Sequence, residues 1–218
     1  MYRQFRVGTV LTLANHQLGR ERLLGGEAGL NVALARGLTW RATWFANRVA
    51  NPVSNVTVAV AGSQITRQRR NLGATRVSGL QTDLEYRAGP FVRVSGGYVF
   101  DRARVSAFDA DPALVGNVLP QVPTHRATAR LLFTHPRYLT AALQAQFAGR
   151  QFDDDQNRFV LPRYALIDLR VSRAITRGLD LFAGVQNLLD RQVAAGRNPT
   201  TIGAPRMVSA GVRVQFAR

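Results

Sequence analysis

Three groups of residues carry chemistry that needs placing. The stretch "GRQFDDDQNRF" sets Asp153, Asp154 and Asp155 side by side in a chain of net charge +16. Such a run can cage a hard cation, supply a catalytic carboxylate pair, or sit hydrated on a loop. The stretch "ITRQRRN" contributes Arg67, Arg69 and Arg70, which attract an anionic ligand or lipopolysaccharide phosphates by plain electrostatics, or form a solvated charge run. His16, His125 and His135 are the only imidazoles.

Spacing narrows these options. His125 and His135 lie at the two ends of one predicted strand, roughly 33 Å apart at ~3.3 Å per residue, so they cannot share an ion. Calcium asks for six to eight oxygens, and the aspartate run is not the Asp-x-Asp-x-Asp-Gly of a calcium loop. Consecutive side chains of an extended chain point to opposite faces, so the three carboxylates do not converge without a sharp bend. Arg150 and Arg158 flank the run and can neutralise part of it. We expect a loop that is hydrated or arginine-paired and that marks one end of the molecule. Asp109 and Asp111 fall in another loop. No Ser/His/Asp context, P-loop or Gly-x-Gly-x-x-Gly after a strand is present, and no cysteine offers a thiolate. No catalytic residue, metal site or cofactor is expected.

The elements that hold these residues are strands. In "LTWRATWFA", Leu38, Trp40, Ala42 and Trp44 alternate with Thr39, Arg41 and Thr43. In "YLTAALQAQF", Leu139, Ala141, Leu143, Ala145 and Phe147 alternate with Thr140, Gln144 and Gln146. The same period runs through "GLQTDLEYR", "FVRVSGGYVF", "ATARLLF", "LIDLRVS", "GLDLFAGVQN" and "RMVSAGVRVQF". About nine strands follow one another from roughly Leu23. Their connections alternate in length. Short turns fall at "ARGLT", "RAGPF", "THPRY" and "TRGLD", with long polar stretches between them. The fold class is therefore all-β: an antiparallel up-and-down meander of long hairpins, tight at one end and loose at the other.

That asymmetry separates a soluble sandwich from an outer-membrane barrel, whose strands need about 9–11 crossing residues and whose external loops are long. Arg41, Arg93, Arg130, Arg170 and Arg213 all sit on the polar parity. Arg76 and Arg173 break it, near strand ends where a long side chain can snorkel. The parity suits either reading, since a sandwich also has a polar face. Composition adds little: all 29 basic residues are arginine and are scattered, which points to no nucleic-acid partner. The opening "MYRQFRVGTV" has no apolar export segment, so by itself it is not expected to direct the chain across a membrane.

Several strings, in order, resemble the C-terminal part of a TonB-dependent outer-membrane receptor. "LDLFAGVQNLLDRQV" is similar to the family's penultimate strand, with the Asn-Leu-aromatic-Asp motif on Asn187, Leu188, Leu189 and Asp190; Leu189 stands where an aromatic is usual. "TIGAPRMVSAGVRVQF" resembles the start and body of the final strand, on Gly203, Pro205, Arg206 and the near-terminal aromatic Phe216. "RRNLGATRVSGLQTDLEYR" carries Asn71, Gly73 and Gly79 of an Asn-x-Gly…Gly-x-Glu pattern, with Gln81 in place of the glutamate. "GNVLPQVPTHRA", with Pro120, Pro123 and His125, and "FRVGTVLTLANHQLGRE", with Phe5, Arg6, Asn15, Leu18 and Glu21, complete the series.

The resemblance implies a share of a barrel of about 22 strands, an open sheet when alone. Residues 1–21 become an external leading segment and 22–218 the C-terminal barrel portion, with signal peptide and plug expected to lie outside this chain. It further implies active uptake of a scarce ligand, such as an iron–siderophore or cobalamin, with no function for this portion in isolation. The implied partners are outer-membrane lipid and lipopolysaccharide, the missing N-terminal barrel and plug, and the TonB complex reached through that plug. The alternative is a soluble or surface β-rich module that binds polyanions.

Overall fold

In a computed structural model, residues 4–197 and 199–215 are described. In chain order the strands are β1 (Phe5–Val7), β2 (Val10–Leu13), β3 (Arg22–Ala35), β4 (Leu38–Ala50), β5 (Val53–Ala61) and β6 (Gln64–Asn71). Then come β7 (Ala74–Ala88), β8 (Val92–Ala107), β9 (His125–Thr134), β10 (Thr140–Ala148), β11 (Gln151–Phe152) and β12 (Val160–Leu161). The last are β13 (Tyr164–Thr176), β14 (Leu179–Gln186), β15 (Ala194–Arg197), β16 (Thr200–Ile202) and β17 (Met207–Val214).

Nine of these form one antiparallel wall in the order β17-β14-β13-β10-β9-β8-β7-β4-β3. Each wall strand pairs with the wall strand before and after it in the chain, which is the meander expected from the alternation. Register keeps the alternating sets together across the wall. Arg41 faces Asp83, Asp83 faces Gly97, Gly97 faces Thr128, and Thr128 faces Gln146. One residue along, Leu143 lies between Leu131 and Leu169. One side of the wall is thus polar and the other aliphatic and aromatic over its middle, with Arg48, Arg76, Arg102 and Arg104 on that parity toward the loop end. In that apolar middle, Trp44, Leu84, Leu131 and Leu143 are all at least 40 % exposed. None of the described residues covers this apolar face.

The tight turns gather at one end of the wall. Gly37, at φ +78, closes the β3–β4 turn, where a Cβ would lie 2.9 Å from the Arg87 carbonyl. Arg87 N–H donates to the Gly37 carbonyl at 2.8 Å, tying this turn to the neighbouring strand.

The opposite end carries a second layer, and here the structure departs from expectation. The long stretch after β4, read as a polar loop, is a hairpin of β5 and β6. It turns at Gly62–Ser63 with Gly62 at φ +57, as a two-residue hairpin turn requires. Strand β2 joins β6 in parallel, giving a four-stranded sheet β1-β2-β6-β5. Small ladders β11-β12 and β15-β16 stand in two further connections, and a short 3-10 turn, Pro112–Leu114, in a third. This layer holds a buried apolar cluster of Val56, Leu72, Val105, Phe108 and Leu114, with Leu119 against it.

Candidate functional site

The aspartate run sits at the centre of the second layer. Asp153, Asp154 and Asp155 are 8 %, 3 % and 8 % exposed, so the expectation of a hydrated loop is corrected. The sharp bend that would let the carboxylates serve one purpose is present. Asn157, at φ +56, reverses the chain between β11 and β12. Asp154 fills the inside of that bend: backbone N–H of Arg158 donates to its two oxygens at 3.0 and 3.1 Å, and that of Phe159 at 2.7 Å. Asp155 turns the other way. It accepts from Thr57 N–H at 2.9 Å and Thr57 Oγ1 at 2.7 Å, on a strand 98 residues earlier. Asp153 accepts from Gln121 Nε2 and from Arg197 N–H, both at 2.9 Å. Three neighbouring carboxylates therefore pin three different connections to one point.

Arginine side chains are not what satisfies Asp154 and Asp155; backbone amides and a hydroxyl are. A carboxylate accepting two or three amide hydrogen bonds gains charge-assisted stabilisation of about twice the neutral value. The surrounding amides complete the knot. Asn117 Nδ2 donates to the Asp155 carbonyl at 2.8 Å, and Asn157 exchanges two hydrogen bonds with the Val118 backbone at 2.8 and 2.9 Å. Thr57, Asn117, Gln121 and Asn157 were not singled out from sequence. No local pattern announces a partner 98 residues away.

Arg67, Arg69 and Arg70 lie on the ladder of β6 rather than in an irregular loop. Alternation splits them: Arg67 and Arg69 stand opposite Thr57 and Asn55, while Arg70 falls on the other face with Nε donating to Gln68 Oε1 at 2.9 Å. Arg67 reaches a cavity of about 490 Å³ that the three aspartates, Thr75 and Gln121 also line. Its Nη2 atom is buried with no hydrogen-bond partner among the described residues. Arg69 borders a separate hollow with Glu21 and Asn55.

The motif residues hold the same layer. Asn71 grips the segment before β3, accepting from Gly19 N–H at 2.7 Å and donating to the Gly19 and Asn51 carbonyls at 3.1 and 2.7 Å. A Cβ on Gly73 would lie 2.7 Å from the Ala107 carbonyl, and one on Gly79 would collide with the Phe100 carbonyl and the Phe45 ring. Both positions need the bare backbone. Asn187, 4 % exposed and at φ +51, accepts from Arg191 N–H at 2.9 Å and donates to the Arg191 and Ala204 carbonyls. Asp190 accepts from Arg206 N–H at 2.9 Å, just before β17. Gly203 N–H donates to Val193, and Pro205 follows in the same approach. Phe216 lies outside the described residues.

The histidines take part in ring contacts. His125 shares a 2.7 Å hydrogen bond with the Tyr98 hydroxyl and packs near Phe100, at the loop end of the wall. His135 sits among Phe91, Phe133 and Tyr138 at the turn end. Asp111 caps the 3-10 turn by accepting from Ala113 N–H.

Comparison with known proteins agrees with this architecture. A family model described as TonB dependent receptor-like, beta-barrel matches residues 2–188. Among solved structures, the copper transporter OprC superposes with TM-score 0.73 at 18 % identity, covering 92 % of this chain and 32 % of that one. The ferric yersiniabactin uptake receptor FyuA from Yersinia pestis gives 0.72 at 20 %, covering 90 % and 30 %. A variant of the ferric enterobactin receptor PfeA from Pseudomonas aeruginosa gives 0.72 at 19 %, covering 94 % and 32 %. The chain thus spans about a third of the length of these receptors. No curated protein matches it by sequence. With a family model aligned over most of its length, and an unbroken strand meander under an elaborated loop layer, the chain belongs to the TonB-dependent receptor β-barrel family.

Proposed function

We propose that these nine strands are the C-terminal share of a barrel wall in the bacterial outer membrane, within a receptor that takes up a small, scarce ligand. The observation that carries the reading is the wall itself. Nine strands in continuous antiparallel register present one apolar face that none of the described residues covers and one polar face. In lipid a backbone can be satisfied only by helices or by a closed barrel, so the edges β3 and β17 require further strands to complete the ring. Residues 1–21 are assigned to the external segment and 22–218 to the wall with its loops.

On this reading the loop layer faces the outside and the tight turns face the periplasm. Of the candidate ligand-facing residues, Arg67 has a buried donor without a partner among the described residues and lines a cavity with Asp153, Asp154 and Asp155; Arg69 borders a separate hollow, and Arg70 lies on the other face of β6. An anionic chelate of the iron–siderophore type fits such a donor better than a cation does. Energy would come from the TonB complex acting through a plug, and lipopolysaccharide would surround the rim. The role is transport, with no catalysis.

Topology gives a direct test, because the chain has no native cysteine. Val115→Cys places a thiol in the loop layer and Arg177→Cys places one at a tight turn. In intact cells a membrane-impermeant maleimide should label the first and not the second, with both labelled after lysis. Equal labelling of the two sites in a soluble fraction would overturn the assignment.

A further inference from the structure

Each of the four tight turns of the wall carries an arginine. Arg36 and Arg177 precede the glycines of the β3–β4 and β13–β14 turns, Arg137 lies in the β9–β10 turn, and Arg87 stands one residue before the end of β7. All four are exposed. The turns belong to successive hairpins, so these arginines are rooted roughly 10 Å from one another at ~4.8 Å per strand. The turn residues 36–37, 89–91, 135–139 and 177–178 include no Asp or Glu.

Three rings meet in the middle of this row. Phe91 lies 4.4 Å from His135, centroid to centroid, and His135 lies 4.4 Å from Tyr138. The outer two stay open, Phe91 at 39 % and Tyr138 at 57 % exposed. The turn itself fixes the central ring: Arg137 N–H donates to His135 Nδ1 at 3.2 Å, and His135 N–H donates to the Leu139 carbonyl at 3.0 Å. A hollow lies on each side of the rings. One, of about 310 Å³, is lined by Arg87, Phe91, Arg93, Leu132 and Thr134. The other, of about 350 Å³, is lined by Thr134, Tyr138, Thr140, Arg170, Ser172 and Arg213, with Asp180 also in its wall. Arg93, Leu132, Ala142 and Arg170 form one register row, and Thr134, Thr140 and Ser172 another of the same parity. Both hollows therefore open on the polar side of the wall.

The groove stays basic after its internal pairs are made. Glu85 takes Arg87 and Arg93 at 3.3 and 3.6 Å, and Asp180 stands opposite Arg213 in the ladder. None of the ion pairs found among the described residues involves Arg36, Arg137, Arg170 or Arg177. Their guanidinium forks match carboxylate oxygens. The hydroxyls of Thr134, Thr140 and Ser172 both donate and accept, and the open rings offer apolar faces with a polar tip at Tyr138. This combination suits a hydroxyl-rich chain that carries carboxylates. Lipid phosphates would meet the apolar parity, whereas these residues lie on the polar parity and in the turns. A folded acidic protein would meet a continuous central patch, but here the rings divide the surface into two hollows in line, each the size of a small-ligand site. A β-1,4-linked disaccharide is about as long as the gap between successive turns.

From this we propose that the turn end of the wall is a docking groove for an anionic glycan. Its occupant is the cell-wall glycan, a β-1,4-linked aminosugar chain whose attached peptides carry carboxylates. Sugar rings lie against Phe91 and Tyr138, and the peptide carboxylates reach Arg137, Arg170 and Arg177. The inference rests on the placement proposed above, in which the tight turns face the periplasm.

Cosedimentation reads the groove in the receptor containing this chain, purified in neutral detergent. Peptidoglycan sacculi should carry the receptor into the pellet. Chitin, a neutral glycan of the same linkage, should need about tenfold more material for equal retention, with a difference that narrows as salt rises. R137Q, R170Q and R177Q together should weaken retention on sacculi about tenfold, while R48Q, R76Q and R104Q, equal in charge but at the loop end, leave it unchanged. Tyr138→Ala should weaken retention on both glycans, which a purely electrostatic contact would not do. Equal retention of the unmodified receptor on sacculi and chitin would overturn the anionic site. Competition by polyglutamate as effective as that by soluble cell-wall fragments would show a surface for acidic polypeptides and overturn the glycan. The placement is read separately, from impermeant-maleimide labelling of Arg177→Cys in intact cells. No retention on sacculi with that thiol shielded would sink the groove and leave the placement standing. Labelling of the thiol would sink the placement, and the cell-wall assignment with it.

Discussion

The wall and the loop layer are built on opposite rules. In the wall, each strand touches only its two neighbours, side chains alternate, and burial is confined largely to the loop end, at residues such as Ala74, Thr75 and Ala103. In the loop layer, the leading segment and four connections meet, and the larger buried apolar residues collect there: Val56, Leu72, Phe108, Leu114 and Leu161 are all at most 5 % exposed. The five non-glycine residues with positive φ among the described residues are also there: Asn51, Gln121, Asn157, Asn187 and Asp190. Each such conformation costs of order 1 kcal/mol and persists only where surrounding contacts hold it. The wall is specified by repetition and relies on solvent on each side being right. The loop layer is specified by individual contacts, as a small globular domain would be.

The comparison breaks most clearly at adjacent wall residues. Leu143→Arg puts a cation in the middle of the apolar face and should cost about 2–4 kcal/mol in lipid. Gln144→Arg, one residue on, lies between Arg130 and Asp168 on the polar face and should cost far less. Urea unfolding of the receptor in vesicles reads both; similar losses at the two positions would mean that the faces are not solvated differently.

A smaller effect is expected in the loop layer, and of a different kind. Asp154→Ala leaves the half-buried N–H groups of Arg158 and Phe159 without their acceptor and should cost about 1–2 kcal/mol. Because the wall does not depend on it, the loss should appear as faster proteolysis of residues 149–163 with unchanged urea unfolding of the strands. Asp154→Asn keeps one acceptor oxygen and should lose about half as much. If the alanine variant lowered wall stability equally, the two layers would be one cooperative unit.

The smallest effect tests the longest link. Thr57→Val removes the hydroxyl bond to Asp155 but keeps the backbone one, at a cost of about 1 kcal/mol. Faster amide exchange over β5 and the Asp153–Asp155 bend together, with the β15–β16 hairpin unchanged, is the expected pattern. Exchange that rose in β5 alone would show the bend to be self-sufficient.

The same contrast explains what was legible in the sequence. The wall was legible because its rule is a period of two, repeated in residues such as Leu139 to Phe147, with Gly and Pro marking each reversal. The β5–β6 hairpin was missed although "VTVAVAGSQIT" has the β-branched content and turn of one; its arginines and asparagines drew it toward a loop reading. Asp153 to Asp155 were noticed but misread. Charge suggested water, whereas their environment is set by Thr57, Gln121 and Arg197, which no local pattern connects to them. The motif residues Asn71, Asn187 and Asp190 stood out only through the family resemblance; their bonds to Gly19, Ala204 and Arg206 are non-local, as those of the aspartates are.

One feature of the aspartate bend bears on how the molecule comes together. Wall pairing can grow by adding one hairpin to the next, with short loops to close each time. The Asp155–Thr57 bond spans 98 residues, and the loop between them contains β6 through β11. Its closure entropy becomes affordable only when those strands already lie in register, since contacts of high sequence separation form late. The bend therefore works as an assembly latch: it shuts when β7, β8, β9 and β10 are in place, and a register slip of one residue among them leaves Asp155 out of reach of Thr57 while Asp154 keeps the amides of its own bend.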